Sequence, residues 1–162
     1  MRKEWMTAVV ALAGMAGLVH AQGLPAKPSA IEAVGKGAQV YVCKAAPGGS
    51  YAWALQGPDA TLQDASGHVI GKHFAGPTWQ ANDGSRVVAK PLNVSPSPNP
   101  GAIPWLVLRA ISHVGAGQMA SVEYVVRTRT EGGMAPASGC DAGRANAEVR
   151  VPYGAVYLFF RG

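Results

Sequence analysis

The chain has 162 residues, two cysteines, 48% apolar residues and a formal charge of +5, with a sequence pI near 9.5. That length is one domain's worth: it supports a real hydrophobic core but leaves little room for a dinucleotide fold plus a substrate domain. The basic residues are scattered singly from Lys27 to Arg161, with no basic arm or helix face, and this argues against a nucleic-acid partner.

Arg2 and Lys3 precede an uncharged run, Met6 to Val19, which ends at the small-x-small pattern Val19-His20-Ala21. This order reads as a cleaved signal peptide over residues 1–21. The run is shorter than the roughly 20 residues a spanning helix needs, so no membrane span is expected after cleavage. A secreted or periplasmic location follows. Residues 22–29, with Pro25 and Pro28, read as a linker, and residues 30–162 as a single β-rich domain. Export places Cys43 and Cys140 in an oxidising compartment, and two cysteines allow only one intramolecular disulfide.

Short β-rich runs separated by Gly, Pro, Asn and Asp fill the rest of the chain. Strands are expected near 39–43, 52–56, 60–63, 68–74, 78–80, 86–90, 103–112, 118–130, 148–151 and 155–160. Two units of the form Gly-Pro, strand, turn ending in Gly, strand (from Gly57-Pro58 and from Gly76-Pro77) read as consecutive hairpins. Residues 91–100 carry four prolines and read as an extended, solvated connection. Residues 103–112 read as a central strand, apolar on both faces. In 118–130, alternation places Val122, Tyr124, Val126, Thr128 and Thr130 inward, and Ser121, Glu123, Arg127 and Arg129 outward on a solvated face, with Val125 the exception. Two arginines on one face could also receive a carboxylate or phosphate. Residues 131–146, which hold Cys140, read as a long loop fastened by the disulfide. The fold class is therefore all-β: a sandwich or partly closed barrel of about eight to ten strands.

Several blocks taken together, GAQVYVCK, WALQGPDATLQDASGHVIGKHFAGPTW, DGSRVV, PGAIPWLVLRA, YVVRTRTEGGMAPASGC and VPYGAVYLFFR, resemble the family catalogued as domain of unknown function 3455. The most specific is Gly71-x-His73-x-x-Gly76-Pro77-x-Trp79. The resemblance implies small exported proteins of compact β-rich fold and supplies no chemistry. Some relatives carry the label malate dehydrogenase, and Gly115-Ala116-Gly117-Gln118-Met119-Ala120 fits G-x-G-x-x-A. That fingerprint needs a helix after the glycines. Here a β-alternating run follows, so the glycines read as a hairpin turn.

Candidate chemistry centres on the Gly-Pro bend. His73, Pro77, Trp79 and Asp83 form the candidate ligand site, with an apolar face and a polar tip. The expected ligand is a small molecule, a glycan or an envelope component, bound without catalysis. The alternative is a small hydrolase with His73 as general base and Asp83 nearby. No G-x-S-x-G elbow accompanies it. His68 and His73 stand five apart, which puts them on opposite strand faces, so no metal site is expected, and no cofactor.

Overall fold

A computed structural model describes residues Ala30–Gly162. The expected signal peptide (1–21) and linker (22–29) lie outside them. Eight strands form one antiparallel sheet: β1 (Ala30–Ala45), β2 (Tyr51–Gln63), β3 (Val69–Phe74), β4 (Thr78–Ala81), β5 (Arg86–Ser95), β6 (Trp105–Val114), β7 (Val122–Gly132) and β8 (Glu148–Arg161). Each strand pairs with the next, and β8 pairs back onto β1 from Ala30↔Phe160 to Val42↔Glu148. The sheet is thus a closed, irregular up-and-down barrel. Closure pairs the edges of β1 and β8 that an open sheet would expose. It also settles the choice left open by the sequence: the sheet is one ring rather than two packed sheets.

Ten expected strands become eight. The runs at 52–56 and 60–63 are one strand, because Gly57-Pro58 sits inside β2 as a bulge rather than ending it. Val40 pairs with Gly57 and Tyr41 with Leu55, which leaves Gln56 as the extra residue. Gly57 has φ +142°, and a Cβ there would lie 2.7 Å from Ala75 Cα, so this position requires glycine. Likewise 148–151 and 155–160 join through Pro152 into β8. The proline-rich connection is corrected in its first half: 91–95 belong to β5, while 96–100 remain an exposed connection. β5 runs on to Ser95 and pairs with β6 throughout. Pro91 is tolerated because β4 stops pairing at Val88, so beyond it one side of β5 is a free edge. β6 is not buried on both faces: Ile111 and Val114 are half exposed.

The interior is packed by alternate residues. Tyr153, Ala155, Tyr157 and Phe159 of β8 all face inward. Leu62, Trp79, Val87, Leu108, Val122 and Val125 meet them from the other strands. An eight-stranded barrel is wide enough to be filled by such side chains or to hold one small ligand. No helix among the described residues is long and apolar enough to cross a membrane.

The two ends of the barrel differ. At one end the β4–β5 turn meets the β6–β7 turn. Asp83 accepts hydrogen bonds from the backbone N–H of Ser85 (2.9 Å) and of Gln118 (2.8 Å) and from the Ser85 hydroxyl. Ser85 Oγ in turn accepts from Met119 N–H at 3.0 Å, and the Met119 side chain is buried beneath. Gly115-x-Gly117 belongs to this turn between β6 and β7, with φ +75° and +149°, and no helix follows it. Ser85→Ala removes a buried hydroxyl that serves one donor and one acceptor. It is expected to cost about 1–3 kcal/mol in urea unfolding, while leaving the far end of the barrel unchanged. An unaltered midpoint would show that this network does not hold the end shut.

At the other end the Gly133–Ala147 loop folds over the strand ends. Cys43 and Cys140 form a disulfide with Cα atoms 5.3 Å apart. Tyr41 Oη donates to Gly133 O (2.6 Å), and Trp53 Nε1 donates to Ser138 O (2.9 Å). The expected fastened loop is present, and Trp53 is one of its anchors.

Candidate functional site

β3 and β4 form a short hairpin whose tip is Ala75-Gly76-Pro77. In its register His73 lies directly opposite Trp79. Cross-strand neighbours on one face have Cβ atoms about 5 Å apart, close enough for rings to stack. The two rings do so, with centroids 4.3 Å apart and planes 3° from parallel. Tyr157 meets both edge-on, at 5.1 Å and 5.7 Å. The imidazole is 3% exposed. Its Nδ1 lies 2.9 Å from Thr78 O. A carbonyl can only accept, so Nδ1 carries the proton and Nε2 presents a lone pair. Burial, with a smaller push from the Arg127 charge, lowers the His73 pKa to about 3, against a partial rise from the Thr78 bond. The ring is neutral at pH 7.

Because β4 has only four residues, the wall of the ring is low at this hairpin. A cavity of about 280 Å³ opens there. Its apolar lining includes Leu55, Pro58, Pro77, Trp79, Leu106 and Leu108. Its polar lining includes Gln39, Gln56, His73, Arg127 and Tyr157. Three irregularities of the sheet converge on it: the β2 bulge at Gln56-Gly57, the shift in β5 between Pro91 and Asn93, and a displaced register in β7. Bulges re-aim side chains at barrel rims, and here they turn polar groups toward the opening.

Arg127 is the member that alternation misplaced. β7 carries two one-residue bulges against β8, between Val122 and Tyr124 and between Thr128 and Glu131. Val122 points inward, but after the first bulge the inward residues are Val125 and Arg127, and after the second Thr130. Arg129, at φ +47°, marks the second bulge and stays outside the core. The expected inward set Tyr124, Val126 and Thr128 and the outward position of Arg127 are therefore both overturned. Nε and Nη2 of Arg127 donate to Pro104 O at 3.0 and 2.8 Å. Among the described residues its guanidinium has no carboxylate within ion-pair distance. A sequence signal existed: Val125 broke the polar face of β7, as it must if the alternation slips.

The structure brings His73, Pro77 and Trp79 together around the cavity. It does not bring Asp83. That residue lies four positions along from Trp79, about 13 Å at strand rise, in the turn that closes the opposite end. Its carboxyl is held below the usual range by the Ser85 hydroxyl first, then by the Gln118 and Ser85 backbone N–H groups. Asp83 is a turn residue, and its expected place beside His73 is corrected on that ground. The other histidines are elsewhere: His68 sits exposed beside Asp64, and His113 Nε2 bonds Val122 O at 2.7 Å. No group of three metal-ligating side chains occurs among the described residues. The remaining aromatics divide: Tyr41 and Tyr153 are interior, while Trp53 and Trp105 are only half-buried.

Comparison with known proteins gives no match among curated proteins and none among solved structures. Residues 25–161 match the family described as protein of unknown function (DUF3455), which covers every strand from β1 to β8. On that match, spanning nearly the whole chain, the protein belongs to this family.

Proposed function

We propose that this is an exported, non-catalytic binding protein whose ligand enters the cavity beside the β3–β4 hairpin. One observation carries the reading: the barrel is shut at the Asp83–Ser85 end and indented at the His73–Trp79 end. Small-molecule sites are concave and mostly apolar, with a few placed polar groups, and barrel mouths are a favoured location. The Cys43–Cys140 disulfide supports an oxidising, extracytoplasmic setting.

A hydrolase using His73 has less support. A general base needs a partner whose proton it takes. Among the described residues, those lining the cavity include no Ser, Thr, Cys, Asp or Glu. The Tyr157 hydroxyl is pushed above its ordinary pKa by burial, against lowering from Tyr153 and Arg127, so it is a poor nucleophile. With its pKa near 3, His73 is a weak base as well.

The test is a thermal-shift panel of small organic acids, their neutral amides, mono- and oligosaccharides and envelope fragments. Wild type is compared with Leu55→Trp, which narrows the mouth at a residue 57% exposed and so spares the core. At least one class is expected to raise the melting temperature of wild type, through mass action on the native state, and to do so less in the variant. No shift in any class would overturn the binding reading and leave a structural role for the domain.

A further inference from the structure

We infer that the cavity is selective for a small monocarboxylate with an apolar body, its carboxylate taken by Arg127 and a hydroxyl or N–H on its body donated to Nε2 of His73. This rests on the binding reading above and names the chemical class it takes.

Arg127 sets the charge preference. Its guanidinium lines a mostly apolar cavity and has no carboxylate partner among the described residues. Part of its donor fork is occupied by Pro104 O and part faces the Tyr157 hydroxyl, which fixes the plane of the group and leaves the donors not so engaged for a guest. Its charge also reaches inward, since it shifts Tyr41, His73, Tyr153 and Tyr157. Among the described residues no second cation joins it on the cavity wall. A single positive charge with a partly used fork suits one negative charge. A phosphate dianion would need further donors to replace its hydration.

The size and lining narrow the class further. At about 280 Å³ the cavity lies near the lower end of ligand sites, so the guest is small. Leu106, Leu108, Pro58 and Pro77 offer it apolar walls. His73 adds direction. Its Nδ1–H is committed to Thr78 O, so Nε2 can only accept at neutral pH. It therefore disfavours a second anionic group and favours a donor. The buried Gln39 amide, which makes no side-chain hydrogen bond to another described residue, can serve either role.

The experiment uses three probes with the purified protein at pH 7: 4-hydroxyphenylacetate, phenylacetate, and 4-hydroxyphenylacetamide, the neutral isostere of the first. Titration calorimetry is expected to show the hydroxy acid binding on the order of tenfold or more tighter than its amide, and several-fold tighter than phenylacetate. Arg127→Met is expected to erase the preference for acid over amide, and Arg127→Lys to retain part of it. Should Arg127→Met fail to fold, the comparison of acid with amide on wild type still decides the charge claim. Perturbation of the Arg127 Nε–H and Trp79 Nε1–H resonances by the acid then decides its location. Equal binding of acid and amide, or perturbations elsewhere on the barrel, would overturn the inference and leave the cavity reading standing. So would failure of all three probes to bind while another class in the thermal-shift panel does. Silence across the whole panel would remove both.

Discussion

Reduction of the Cys43–Cys140 disulfide is expected to cost the protein about 4–5 kcal/mol of unfolding free energy. The bond joins residues 97 positions apart, so it closes most of the domain into one loop. Chain-entropy reasoning gives this magnitude for a loop of roughly 100 residues, a large fraction of the 5–15 kcal/mol that holds a typical domain folded. The effect has a local signature too. The Gly133–Ala147 loop is held by the disulfide and by a handful of hydrogen bonds: Tyr41 to Gly133, Trp53 to Ser138, Lys44 to Asn146, and backbone pairs between Cys43 and Asn146–Ala147. The barrel closes through the β1–β8 ladder and does not need the loop for its register. Amides of 133–147 should therefore lose exchange protection first, with β1 and β8 still protected. Urea unfolding of oxidised and reduced protein checks the magnitude, and hydrogen exchange checks the order. A midpoint unmoved by reduction would mean that the native loop is held by its hydrogen bonds alone.

Acid is expected to destabilise the fold through His73. The unfolded imidazole takes a proton near pH 6.5, whereas the buried ring does so only near pH 3. Between those values the unfolded chain binds more protons, so unfolding is favoured as pH falls. The stability that depends on a neutral His73 is fully present above about pH 6.5 and is lost progressively as pH drops toward 3. The full window is worth on the order of 5 kcal/mol. Protonation would also place an imidazolium near the like-charged Arg127. His73→Phe keeps a ring on Trp79 and removes the titration. It leaves Thr78 O without its side-chain donor, so it should be less stable at pH 7. Its stability should nevertheless vary less between pH 7 and 4.5. Asp64 and Asp83 are held below their ordinary range, Asp64 chiefly by the His68 backbone N–H and Asp83 chiefly by the Ser85 hydroxyl, so they act lower in pH and alike in both proteins. Parallel pH profiles for wild type and variant would rule out His73 as the acid-sensitive group.

The Gly-Pro bend shows how far local pattern reaches. His73, Pro77 and Trp79 could be singled out because they flank the Gly-Pro bend between two β runs, whereas the pairing that sets His73 opposite Trp79 is seen only in the structure. The bend is local, and the sequence carries it. Asp83 shared the neighbourhood in sequence but belongs to the next turn. Its turn chemistry, Asn-Asp-Gly, was legible, whereas the side of the barrel that this turn would close was not. Arg127 failed for a different reason. Period-two reasoning assumes an unbroken ladder, and each β7 bulge inserts one residue and reverses every side chain beyond it. Gly57-Pro58 and Pro152 erred the other way. Both resemble strand breakers, yet each lies inside a strand, where ladder contacts with β1 hold the chain extended across it.

Sequence by itself determined the all-β class, the pairing of the two cysteines, the strands on either side of the Gly-Pro bend and the family. Each rests on neighbours along the chain or on a count with one solution. Tertiary structure alone decided that the sheet closes into a ring, that one end is plugged and the other indented, and that Arg127 faces the cavity. Those depend on β8 meeting β1 and on bulges whose positions are set by pairing between strands, and pairing between distant segments is not written in the period of either one.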